Sequence, residues 1–150
     1  MSNQRPTAPE VDLLILSFPM HFTWEFLQAP LFSGMAQATH IDGILTCLQA
    51  TLGDMVIALV AYWAAAVLVG TRHWVCRSDH RAFVLFIGTG LAITIGMEFL
   101  STEILHRWTY AAAMPRVPVI GTGLGPMLQW ILIPALVRWY LRRLSRPKIY

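Results

Sequence analysis

The sequence predicts an all-α membrane protein, a four-transmembrane-helix bundle with both termini cytoplasmic. Three observations predict it. The 150-residue chain is 56% hydrophobic and only 13% charged, whereas a soluble domain carries about 25% charge and about 45–50% apolar residues. Its charge falls in short blocks between apolar runs, the pattern of a polytopic membrane protein. Each run approaches or exceeds the roughly 20 residues that cross a bilayer.

The first span is expected at roughly 12–33, with Pro19 in its first half and Pro30 near its end. Both prolines favour a kink or a short break. The second is expected at roughly 44–70, where Cys47, Thr51 and Asp54 share a face continued by Ala58, Ala61 and Ala65. Small residues let helices approach closely. The third is expected at roughly 82–104, with Gly90, Thr94, Glu98, Ser101 and Thr102 on its polar face. A loop rich in Pro and Gly follows, and then a fourth span at roughly 120–141, on which Thr122, Gly125 and Gln129 share a face. The whole chain reads as one domain ending in a basic tail, 142–150.

Lys and Arg set the orientation. Arg72, Arg77 and Arg81 mark the second loop, and Arg138, Arg142, Arg143, Arg146 and Lys148 the C-terminal end. The first loop has none, the third only Arg107 and Arg116, and the N-terminal tail only Arg5. Basic loops stay inside, so the chain is expected in the inner (plasma) membrane as a multi-pass protein. The formal charge of +3 is a topology signal on this reading and excludes nucleic acid as a partner. The polar first ten residues lead into a run too long for a signal core, so the first span is expected to be retained. Two cysteines, Cys47 in an apolar run and Cys76 in a basic loop, do not suggest a disulfide framework.

The chemistry centres on His21-Phe-Thr-Trp-Glu25-Phe-Leu-Gln28, whose imidazole, carboxylate and amide stack on one helix face. A carboxylate at membrane depth costs at least about 2.5–3.5 kcal/mol on insertion scales. On the expected topology Glu25, Gln28, Asp54, Glu98 and Gln129 fall at similar levels, from the middle of the membrane outward. That layering implies a polar cavity inside the bundle, open toward the outer side. Three carboxylates at one level without Lys or Arg cannot all be ionised, so some hold protons or a cation is bound. His21, Glu25, Asp54 and Glu98 are therefore the candidate catalytic residues. Trp24, Gln28, Thr51, Thr102, Trp108, Tyr110, Gln129 and Trp130 are the candidate ligand-binding residues. Tryptophan faces suit a cationic ligand or carbocation, although anchoring and packing are their commoner uses.

A metal held by His21, Glu25, Asp54, Glu98 and His106 is an alternative. The paired Glu-x-x-His signature of di-iron bundles is missing, and only Glu103-Ile-Leu-His106 has that spacing. No metal is assigned. Gly121-x-Gly-x-Gly125 follows no strand and is not read as a nucleotide loop. No cofactor is assigned either.

His21 and Glu25, Glu98 in Gly96-Met-Glu-Phe-Leu-Ser-Thr-Glu103, and Trp130-Ile-Leu-Ile-Pro134 together resemble the four-helix membrane fold of the EXPERA superfamily, which includes the emopamil-binding sterol isomerases and the sigma-2 receptor. The second helix departs from that pattern in carrying Asp54. The resemblance implies an acid–base shift of a double bond in an isoprenoid-like lipid. Glu98, Trp108-Thr-Tyr110 and Pro115 are similar to segments of small carotenoid-pathway membrane cyclases and hydratases. The chain also looks like a small bacterial inner-membrane protein of this general type.

Three functions are compatible with these features. One is an isomerase- or cyclase-type enzyme, with Glu25 or Glu98 as proton donor and the second acid or His21 as acceptor. Another is a non-catalytic binder or transporter of a hydrophobic or amphiphilic small molecule, as a monomer or a homodimer. The third is a subunit of a membrane complex. Membrane lipid is the expected partner in each.

Overall fold

The structure is a computed structural model that describes residues 8–77 and 79–145. Arg5, Arg146 and Lys148 of the charge pattern lie outside the described residues. Four helices account for most of the chain: α1 Pro9–Gln28, α2 His40–Val69, α3 His80–Phe99 and α4 Leu124–Leu144. Among the described residues there is no strand, only two isolated bridges.

Local chemistry sets the helix ends. Pro9 begins α1, where its missing N–H costs nothing, and Glu10 and Asp12 face the positive end of the helix dipole. The helix runs unbroken through Pro19. The break comes instead at Pro30, in a single 3-10 turn, Ala29–Leu31. Thr39 caps α2 by accepting from the Asp42 N–H, and Gly70 closes it in the left-handed conformation at φ 70°. Asp79 caps α3 by accepting from the N–H groups of Arg81 and Ala82. Beyond Phe99 the chain widens into a π turn, Leu100–Ile104. The fourth helix starts at Leu124 and not near residue 120. Gly121 is left-handed at φ 69°, and Arg116 pairs with Gly123 across a turn that must close first.

Each helix packs against its two neighbours in the order α1, α2, α3, α4 and back to α1. Neighbouring helices run antiparallel. At one end the first and third loops are joined, with the Ser33 N–H donating to Thr109 O and the Ala111 N–H to Leu31 O, both at 2.9 Å. At the other end Arg72 pairs with Glu10, and Arg138 Nη2 donates to Asp79 O at 2.7 Å. The Arg138 guanidinium lies over the Phe83 ring, 4.3 Å from its centroid. The basic groups therefore gather at this second end.

An apolar core joins the helices. Tyr62, Trp74, Phe86 and Trp130 fill it, with Ala58, Ala61 and Ala65 of α2 at close approach. Trp74, from the second loop, is wholly buried and donates its indole N–H to Tyr62 O. Gly90 leaves room for Trp130, because a Cβ there would lie 2.3 Å from the indole ring.

Two helices, α2 and α3 with its π turn, are long and apolar enough to cross a membrane. Their apolar residues face mainly outward, since only 33% and 17% of their most apolar stretches are buried. The core helix of a soluble protein would show the opposite. Helices α1 and α4, at 20 and 21 residues, are long enough but more polar. Glu10, Asp12 and Glu25 lie on the first, and Arg138, Arg142 and Arg143 on the second.

The Gly90–Trp130 contact yields a test. Gly90→Val should lower stability by about 1–3 kcal/mol through overpacking. Thermal unfolding of the detergent-purified protein, followed by tryptophan fluorescence, measures this.

Candidate functional site

The spacing of His21, Glu25 and Gln28 puts their side chains on the face of α1 that meets α2 and α4. Gln129, one residue before Trp130 on α4, reaches into their midst and is 2% exposed. Its Nε2 lies 2.8 Å from His21 Nδ1, 2.9 Å from Glu25 Oε1 and 2.8 Å from Asp54 Oδ2. His21 Nδ1 is also 3.2 Å from Asp54 Oδ2. One carboxamide thus connects three helices.

Gln28 extends the network. Its Nε2 donates to Glu25 Oε1 at 2.9 Å and to Gln129 Oε1 at 3.3 Å. The Trp24 indole N–H donates to Gln28 Oε1 at 3.1 Å. Gly125 makes this possible, because a Cβ there would lie 2.7 Å from Gln28 Oε1. Gly125 was legible in sequence as a neighbour of Gln129 on the same helix face, but its fit to Gln28 was not.

Glu98 approaches from α3. It accepts a hydrogen bond from the Tyr110 hydroxyl, and the Trp108 indole N–H acts on it without reaching ordinary hydrogen-bond geometry. Burial, and then the bond to Glu98, push the Tyr110 phenol above its ordinary range, so it remains a donor. Glu25 feels the charges of Asp54 and Glu98, and Glu98 feels Asp54. The three carboxyl groups therefore form one electrostatic cluster. No Lys or Arg among the described residues acts on Glu25 or Glu98. Among the described residues His21, 1% exposed, is the one basic side chain in hydrogen-bond range of these acids.

The remaining candidates lie around this centre. The Trp130 ring is 5.7 Å from that of His21, and its buried N–H has no hydrogen-bond partner among the described residues. Thr51 and Thr102 turn back to their own helices, donating to Cys47 O and Glu98 O. Helical threonines commonly bond in this way, and neither joins the cluster directly. His106 bonds Thr102 O from an exposed position, away from His21. Among the described residues no three His, Cys, Asp or Glu side chains converge as a metal-holding group. The centre of His21, Glu25 and Asp54 is taken by the Gln129 nitrogen. Thr94 and Ser101, one turn before and after Glu98, are buried, and their hydroxyls have no partner among the described residues. The sequence marked them only as a polar face.

Two hollows flank the cluster. One, about 260 Å³, is an apolar groove between α1 and α4, lined by Trp24, Leu27, Gln28, Pro115, Gly125 and Leu128 among others. The other, about 290 Å³, lies at the π turn beside Thr102, Tyr110 and Thr122. Gln28 links the groove to Glu25, and Tyr110 links the second hollow to Glu98.

No family model, curated protein sequence or solved structure matches the chain.

The central contact is open to a double-mutant cycle. Gln129→Leu strands buried acceptors and should destabilise the fold by about 1–3 kcal/mol. Combined with Asp54→Asn, the two changes should be non-additive by about 0.5–3 kcal/mol. Denaturant unfolding of the four proteins gives the coupling energy, and additivity would mean that the contact carries none.

Proposed function

We propose that the chain is a four-span inner-membrane protein, with both termini cytoplasmic, that performs acid–base chemistry on an isoprenoid-like lipid. The observation that carries this reading is the juxtaposition of Glu25, Asp54 and His21, held around one buried amide, with an apolar groove opening beside them between α1 and α4. The outward-facing apolar residues of all four helices support a membrane setting. The basic end, with Arg72, Arg77 and Arg142, is then cytoplasmic.

A lipid alkene would enter along the groove, where Gln28 and Trp24 line the wall and Glu25 stands behind Gln28. Glu25 in its protonated form gives its proton to one alkene carbon. The resulting carbocation is stabilised by the Trp24 face. Loss of a proton from the neighbouring carbon, to Asp54 or His21, restores a double bond at a new position. Return of that proton from Asp54 or His21 to Glu25 closes the cycle, so protons and charge balance and no oxidant or reductant is needed. The resemblance to sterol isomerases and to carotenoid-pathway cyclases points to the same reaction class.

A binding protein or carrier is the second reading. It is favoured by the saturation of the cluster, in which Glu25 and Asp54 already have partners within the bundle. Turnover separates the two readings.

Two measurements test the proposal. An impermeant maleimide should label Cys76, in the basic loop, only after cells are opened, and a cysteine placed at exposed Ile120 in intact cells. Labelling at both positions from the same side would contradict the four-span topology. In a deletion strain, the wild-type gene should restore a shifted isoprenoid lipid profile, and Glu25→Gln should not, despite normal membrane levels. An unchanged profile on deletion would remove the enzyme reading.

A further inference from the structure

The contacts around the Gln129 carboxamide exceed its capacity as a donor. Its nitrogen has His21 Nδ1, Glu25 Oε1 and Asp54 Oδ2 at 2.8, 2.9 and 2.8 Å, yet an amide nitrogen carries two hydrogens. One proton arrangement serves both acids with the nitrogen facing inward. The amide donates to Glu25 and Asp54, and His21 Nδ1–H donates to Asp54, 3.2 Å away. Both carboxyl groups then accept at these oxygens, the arrangement that an ionised pair requires.

Half a turn about the last side-chain torsion exchanges the amide nitrogen and oxygen with almost no change of shape. The oxygen then faces the same carboxyl oxygens. Two oxygens at hydrogen-bond distance need a proton between them, and the amide has none to give from that side. Oxygen-inward therefore fits the cluster only when Glu25 and Asp54 each bring a proton.

We propose that Gln129 is a positioning residue whose amide reverses as Glu25 and Asp54 take up or release two protons, so that the cluster changes charge without moving a helix. The proposal rests on the acid–base reading above and deepens it by naming the group that keeps both proton states hydrogen-bonded. Every packed element contributes to the balance. Helix α1 brings His21 and Glu25, and α2 brings Asp54, with Cys47 also within reach of the Glu25 charge. Helix α3 brings Glu98, with Tyr110 of the third loop behind it. Helix α4 brings no titratable group to Gln129 or Trp130. Three carboxyl groups face one another here, with no Lys or Arg among the described residues acting on Glu25 or Glu98. Gln28 favours the nitrogen-inward arrangement, because its Nε2 donates to Glu25 Oε1 and to Gln129 Oε1.

The test is infrared difference spectroscopy of the full chain in lipid nanodiscs across a pH titration, with glutamine labelled by carbon-13 at its side-chain amide. The carbonyl bands of protonated acids should appear together with a shift of the labelled amide band, on a curve steeper than a single-proton titration. In Gln129→Met that amide shift is lost, and the acids titrate in separate, shallower steps, as interacting acids ordinarily do. Gln129→Asn, which keeps an amide but draws it back, is the second variant should Met not fold. Acid bands that titrate while the amide band stays fixed would overturn the reversal and leave the acid–base reading standing. No acid band at any pH would overturn both.

Discussion

The bundle depends on one buried carboxamide. Gln129 on α4 contacts His21 and Glu25 on α1 and Asp54 on α2 at hydrogen-bond distance. Inside a low-dielectric bundle each of these groups is costly unless paired. Together they fix the rotation and depth of three helices at once. A slide of α4 by one turn, about 5.4 Å, would leave His21, Glu25 and Asp54 facing apolar side chains. Gly125 and Gly90 permit the arrangement by letting Gln28 and Trp130 lie against bare backbone. The pairing also explains how acids are tolerated at this position, since Glu25 is held by the amides of Gln28 and Gln129, Asp54 by Gln129 and His21, and Glu98 by the Tyr110 hydroxyl.

The two ends of the molecule differ for physical reasons. Toward the basic end the helices are joined by Trp74, Tyr62, Phe86 and Trp130, and Arg138 anchors the second loop through Asp79 O. That half is a packed apolar core. Toward the other end the polar cluster, the π turn and the two hollows interrupt close packing. The π turn follows directly on Glu98 and lies beside Tyr110, and such widened turns often occur where a helix presents functional side chains. The polar cluster thus lies where the bundle is least filled, and the opposite half is close-packed.

Much of this was legible in sequence because helical spacing is a reliable guide to faces. His21, Glu25 and Gln28 do lie together, and the small face of α2 from Cys47 to Ala65 is buried. Asp54, Glu98 and Gln129 could be assigned to a common level but not to specific partners, because periodicity says nothing of helix order. The central role of Gln129 was therefore hidden, and it read as one ligand-binding residue among eight. The hydrogen bonds of Thr51 and Thr102 were hidden for a different reason. Their hydroxyls satisfy themselves on the preceding turn, a local option that spacing does not reveal. The start of α4 was set by a turn at Gly121, whose left-handed backbone outweighed the apolar run.

The central claim is that the acid cluster serves a lipid-like ligand in the groove beside it. Native mass spectrometry of the detergent-purified protein, beside Glu25→Gln, tests it most directly. The expected result is an apolar organic adduct on the wild-type chain that is lost or altered in the variant, with a mass in the isoprenoid range. A bare protein in both samples, with the cluster intact and the fold unchanged, would contradict it and favour a purely structural role for the buried acids.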